Sequence, residues 1–104
     1  MKHYSMKLYK DIARATELSP DSLGVELGCV CADAHIPVQI VASWLCTTRA
    51  GVYLWFTGIH DITPRKRNRA VKIIKTLLAG LDAGKLPAAD MKSTIEIMNQ
   101  YKGD

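Results

Sequence analysis

The stretch 44-WLCTTRAGVYLWFTG-58 mixes the apolar residues of a core with one Arg, one Tyr and an internal glycine, and the way it divides decides the fold. Val52, Trp55 and Phe56 recur at helical spacing, and Thr48 stands where a hydroxyl can cap the helix they belong to. Gly58 fits the left-handed residue that closes that helix. Upstream, Pro37 opens a shorter helix with Val38, Val41, Ala42 and Leu45 on its inner face and Gln39 and Ser43 on its outer face. Two short helices joined by a tight turn form a helix-turn-helix unit. Such a unit needs a small residue where the helices cross, a residue that tolerates the turn, a cap, and apolar anchors behind the second helix. Ala42, Cys46, Thr48 and the pair Val52 and Trp55 supply them in that order.

Working outward, the Val and Ile residues recur at three and four rather than at two, which predicts helices and no strand or hairpin. A first helix covers Ser5 to Glu17, with Leu8, Tyr9, Ile12 and Ala13 on one side. A second begins with Ser19 as N-cap, Pro20 at the first helical position and Asp21 in the first turn, and buries Leu23, Leu27, Val30 and Ala34. Gly24 and Gly28 lie one turn apart in it, where close helix packing is their use. After Gly58, Thr63 caps and Pro64 begins a long helix. Val71, Ile74, Leu78 and Leu81 line one side of it, with Ala70, Ile73 and Leu77 beside them. Gly84 ends it, and Pro87 starts a last helix, to about residue 101, with Met91, Ile95 and Met98 as a stripe and Ile97 and Tyr101 to one side. The expected fold is all-α, a compact bundle of about five to six helices containing the helix-turn-helix, in one domain over residues 1–104.

Composition excludes several classes. With 48% hydrophobic and 23% charged residues the chain is an ordinary globular one, and 104 residues suffice for a single core. No apolar run reaches the roughly 18 residues of a membrane span. The opening MKHYSMKLYK lacks the apolar stretch of a secretory leader, so a cytoplasmic protein without membrane contact is expected. Cys29, Cys31 and Cys46 are odd in number and read as reduced core thiols; together with His35 they lack the C-x2-C and H-x3-H spacings of a zinc site, so no metal is expected. His3 and His35 read as structural or solvated. No nucleophile–His pair, paired-carboxylate pattern or glycine-rich phosphate loop is present, so neither an enzyme nor a cofactor is expected.

The net charge of +4 is unevenly spread. Residues 21–48 contain three acidic and no basic residues, whereas 49–75 hold seven basic against one acidic, a local +6. Arg65, Lys66, Arg67, Arg69, Lys72 and Lys75 crowd the N-terminal half of the long helix, against its dipole, so something anionic should offset them. A basic field of this kind favours a polyanion such as DNA or RNA.

Residues 36–58, IPVQIVASWLCTTRAGVYLWFTG, resemble the helix-turn-helix of lambda-repressor-like domains of the Cro and repressor type. Val41, Ala42, Cys46, Thr48, Val52, Trp55 and Gly58 match that pattern in register, and the likeness to small phage and prophage regulators extends over about residues 20–83, leaving the two end helices outside it. Three positions depart from it. Cys46 stands where Gly is frequent, and Val38 where Gln often touches the phosphate backbone. Cys31 and Phe56 replace an Arg–Glu pair, a joint change from ionic to apolar packing that is often neutral.

The resemblance implies a regulator, most simply a transcriptional repressor, that binds double-stranded DNA as a homodimer on a palindromic operator. Its recognition helix would run from Thr48 to Thr57 and expose Arg49, Ala50, Tyr53 and Leu54. Arg49 is suited to a bidentate contact with guanine, Ala50 and Leu54 to thymine methyls, and Thr48 and Tyr53 to phosphates. His60, Arg65, Lys66 and Arg67 surround the start of the long helix, where phosphate oxygens meet backbone amides. The end helices, around Leu8 and Ile12 or around Met91, Ile95 and Met98, are the candidate dimer surfaces, with covering the core as their alternative role. The rival reading is an adaptor whose face Tyr53, Leu54 and Phe56 binds a host protein.

Overall fold

The structure, a computed structural model, describes residues 4–87 together with 92, 93, 95 and 96. Among the described residues it is an all-α bundle with five helices of known extent: α1 (Met6–Leu18), α2 (Leu23–Asp33), α3 (Val38–Trp44), α4 (Arg49–Phe56) and α5 (Pro64–Asp82). Among the described residues there is no strand, and no helix is long and apolar enough to cross a membrane. Residues 92, 93, 95 and 96 are helical, and Ile95 is exposed; the rest of the expected last helix, with Met91 and Met98, lies outside the described residues.

The middle of the bundle is α2, which packs against α1, α4 and α5, while α3 packs against α4. Its glycines explain how it lies so near α4. A Cβ on Gly24 would stand 2.6 Å from the carbonyl oxygen of Trp55, and one on Gly28 would stand 2.9 Å from Cγ of Phe56. At Gly24 the helices meet backbone to backbone, and an alanine there must push them apart; at Gly28 an alanine must displace the Phe56 side chain.

Local chemistry sets the helix starts, with one displacement from the expected register. Ser5 caps α1 by accepting from Leu8 N at 3.1 Å. The cap of α2 is Ser22, which accepts from Val25 N at 3.3 Å, and not Ser19. Ser19 is already used: its amide closes α1 by donating to Ala15 O at 2.7 Å, and its carbonyl accepts from Ser22 N. Two serines three apart both suit a cap, and the one released by the preceding helix takes the role. Thr63 occupies the cap position of α5, ahead of Pro64, without a side-chain bond.

Two helix faces also differ from expectation. In α1 the third buried residue is Ala15, whereas Ala13 is exposed. In α5 the buried stripe is Ala70, Ile73, Ile74, Leu77 and Gly80, and Val71 and Leu78 are exposed. α5 packs against α2, and its rotation turns Lys66 and Arg69 toward the end of α3. Leu8 and Ile12 are buried in the protein's own core, which removes them as a dimer surface.

Cys31 and Phe56 are both fully buried in that core. Tyr4, for which the sequence offered no helical context, closes over Phe56 with stacked rings 6.4 Å apart. Its hydroxyl donates to Ile36 O at 2.6 Å, and burial pushes the phenol pKa far up.

The loop between α4 and α5 is tied back to α2 by one carboxylate. Asp61 Oδ1 accepts from Gly24 N at 3.0 Å, Ser22 Oγ at 3.3 Å and Ile62 N at 2.8 Å, and Oδ2 accepts from Arg67 at 3.3 Å. Desolvation opposes its ionisation, but the amides of Gly24 and Ile62, with Arg67 and Ser22, outweigh it and hold the carboxyl below its ordinary range. A pKa lowered by folding contributes stability that is complete above the unfolded value of about 3.9 and is lost as pH falls through the folded value. Asp61→Ala is therefore expected to cost about 1 kcal/mol at pH 7, the scale of a lost helix cap, with the difference from the parent protein shrinking below about pH 4. Urea unfolding at a series of pH values measures it.

Candidate nucleic-acid interface

The turn between α3 and α4 is a Schellman motif with a cysteine in the glycine position. Thr47 N donates to Ala42 O at 2.9 Å and Cys46 N to Ser43 O at 3.3 Å, and Cys46 has φ 52°. That left-handed conformation disfavours a residue with a Cβ. Cys46 is exposed and Cys29 half-buried, so only Cys31 of the three thiols is a core residue. A side chain in a left-handed turn of this kind points outward, which is why the expectation of a buried Cys46 fails.

Three carbonyls beyond the motif's own bonds are satisfied from α5. Lys66 Nζ donates to Leu45 O at 2.6 Å and to Cys46 O at 2.8 Å, and Arg69 Nη1 donates to Trp44 O at 3.1 Å. Every carbonyl from Ala42 to Cys46 thus has a donor. Two cations stand at the negative end of the α3 dipole, so part of the basic charge crowded on α5 is offset by peptide oxygens.

The second helix of the unit starts as expected. Thr48 Oγ1 accepts from Gly51 N at 3.1 Å, so this hydroxyl serves as a cap. Val52, Trp55 and Phe56 face the core, and on the opposite side Arg49 and Ala50 are exposed and Tyr53 is 36% exposed. Leu54 is half-buried at the margin. With Phe56 fully buried, the adaptor face of Tyr53, Leu54 and Phe56 does not form. Gly51 lies against the turn, where a Cβ would stand 2.8 Å from Thr47 Oγ1. Gly58 closes α4 with φ 76°. His60 is exposed in the following loop, its amide donating to Leu54 O at 3.2 Å.

The four side chains expected at the start of α5 separate into two kinds. His60 and Arg65 are exposed and without a side-chain partner among the described residues. Lys66 holds the end of α3, and Arg67 pairs with Asp61 at the surface. Sequence reasoning missed Asp61 and the inward role of Lys66. The one acidic residue in a basic stretch was the available signal for the first; nothing local marks the second. Compared with protein-family models, with curated proteins and with solved structures, the chain matches none.

Two substitutions probe the turn in opposite directions. Cys46→Gly is expected to raise stability by about 1 kcal/mol by removing the left-handed Cβ. Lys66→Met keeps the aliphatic stem but strips two carbonyls of their donor and is expected to cost about 1 kcal/mol. Denaturant midpoints at unchanged m-value report both.

Proposed function

We propose that this chain is a sequence-specific double-stranded-DNA-binding regulator of the lambda-repressor-like helix-turn-helix kind, acting as a repressor from a homodimer on a palindromic operator. The observation that carries the reading is the division of α4. Its apolar anchors Val52, Trp55 and Phe56 are buried, and Arg49, Ala50 and Tyr53 project from the other side of a helix capped by Thr48. A helix presented in that way suits the major groove, with Arg49 on guanine, Ala50 and the edge of Leu54 against thymine methyls, and Tyr53 on a phosphate. Arg65 and His60 are exposed and offer a cationic and a polar group to the backbone. One unit of this size reads few base pairs, which is the reason for a dimer. The proposal assigns the chain no catalytic chemistry.

Binding to genomic fragments at two salt concentrations tests the reading, with the parent protein, Arg49→Ala and Arg65→Ala. Arg49→Ala is expected to lose about 5- to 150-fold in discrimination for a preferred sequence, the equivalent of about 1–3 kcal/mol. Arg65→Ala is expected to weaken all sequences alike and to lower the salt slope by about one. Absence of binding to any duplex at low salt overturns it.

A further inference from the structure

Seven basic residues lie between 49 and 75, and the structure sorts them by what they already hold. Lys66 and Arg69 are bonded to the carbonyls that end α3, and Arg67 to Asp61. Arg65, Lys72 and Lys75 are exposed, and their side chains have no hydrogen bond or ion pair among the described residues. They are not scattered. With Asn68, also exposed, they follow at spacings of three, four and three residues, which is one stripe of a helix. That stripe is bordered on one side by Arg69 and Thr76 and on the other by Val71 and Leu78. Because Arg69 reaches the α3–α4 turn, the free cations border the helix-turn-helix.

We propose that Arg65, Asn68, Lys72 and Lys75 form a phosphate-binding rail along α5, a surface that follows one strand of a duplex beyond the reach of α4. This rests on the DNA-binding reading of α4. The occupant is set by charge and by length. Ten residues at about 1.5 Å rise place Arg65 and Lys75 about 15 Å apart along the helix, and phosphates of one strand advance about 3.4 Å along the duplex axis, so the rail spans about four to five of them. Arg65 stands against the helix dipole in the first turn of α5, and among the described residues no carboxylate pairs with Arg65, Lys72 or Lys75; an external polyanion supplies the complement. The inward cations give the rail its place, because Lys66 and Arg69 fix α5 against the turn from which α4 departs.

The rail makes a count that a diffuse positive field does not. Neutralising one phosphate contributes about 0.9 to the slope of log affinity against log salt. The full chain is titrated with a random-sequence DNA duplex over a range of salt concentrations, as the parent and as two charge-matched triples. Arg65→Gln, Lys72→Gln and Lys75→Gln together should lower the slope by about 2.7. Lys7→Gln, Lys10→Gln and Arg14→Gln together remove the same charge from α1, which packs on α2, and should leave the slope nearly unchanged. All six side chains are exposed and, among the described residues, unbonded, so both triples should melt cooperatively near the parent temperature. Equal losses in the two triples, or a parent slope retained by the α5 triple, overturn the rail while leaving duplex binding by α4 in place. A parent protein that binds no duplex overturns both.

Discussion

The side chains of residues 61–69 hold opposite ends of two different helices with opposite charges, and the placement of the helix-turn-helix depends on that clasp. Asp61 sits at the start of α2 and accepts from the Gly24 amide, where a helix dipole favours an anion. Lys66 and Arg69 sit at the end of α3 and donate to three carbonyls in succession, where the dipole favours cations. The loop after α4 and the first turns of α5 therefore bind the helix before the unit and the first helix of the unit itself. Neither contact is strong alone, since the groups are partly hydrated and exposed ion pairs contribute little. Their value is geometric: together they set the distance and rotation of α5 relative to a turn that has no glycine to relax it.

That turn carries a cost the clasp offsets. Cys46 adopts a left-handed conformation, and the bonds from Lys66 and Arg69 satisfy carbonyls that otherwise would depend on water at a partly buried helix end. Basic residues near the N-terminus of a helix look unfavourable when that helix is considered alone. Counted across the bundle, Lys66 and Arg69 answer the C-terminal dipole of α3 rather than the N-terminal dipole of their own helix. The expected anion is thus in part internal, made of peptide oxygens and one carboxylate.

What was legible in the sequence is what depends on neighbours a few residues apart. Helical period, the cap at Thr48, the left-handed Gly58 and the buried row Val38, Val41, Ala42, Leu45 follow from spacing of three and four and from local hydrogen bonding. Where two local solutions were equally good, the sequence did not choose. Ser19 and Ser22 both suit a cap, and the choice falls to the helix that ends there. The rotation of α5 was not legible for the same kind of reason: Val71 with Leu78 and Ala70 with Leu77 are both apolar rows at helical spacing, and only packing against α2 separates them. Tyr4 bonding to Ile36 and Lys66 bonding to Leu45 join residues too far apart in the chain for any period to reveal.

The same long-range contacts decide how much freedom α4 has to meet a partner. From behind, α2 approaches closely at Gly24, against the backbone of Trp55, and at Gly28, against the side chain of Phe56. At the N-terminal end, the Schellman turn and its two cations hold the residues that lead into the Thr48 cap. At the C-terminal end, Gly58 and the bond from His60 N to Leu54 O end the helix abruptly. A helix restrained at both ends and along its back presents Arg49, Ala50 and Tyr53 in one fixed relation. If α4 meets a partner as proposed, little backbone ordering entropy would then remain to be lost on association.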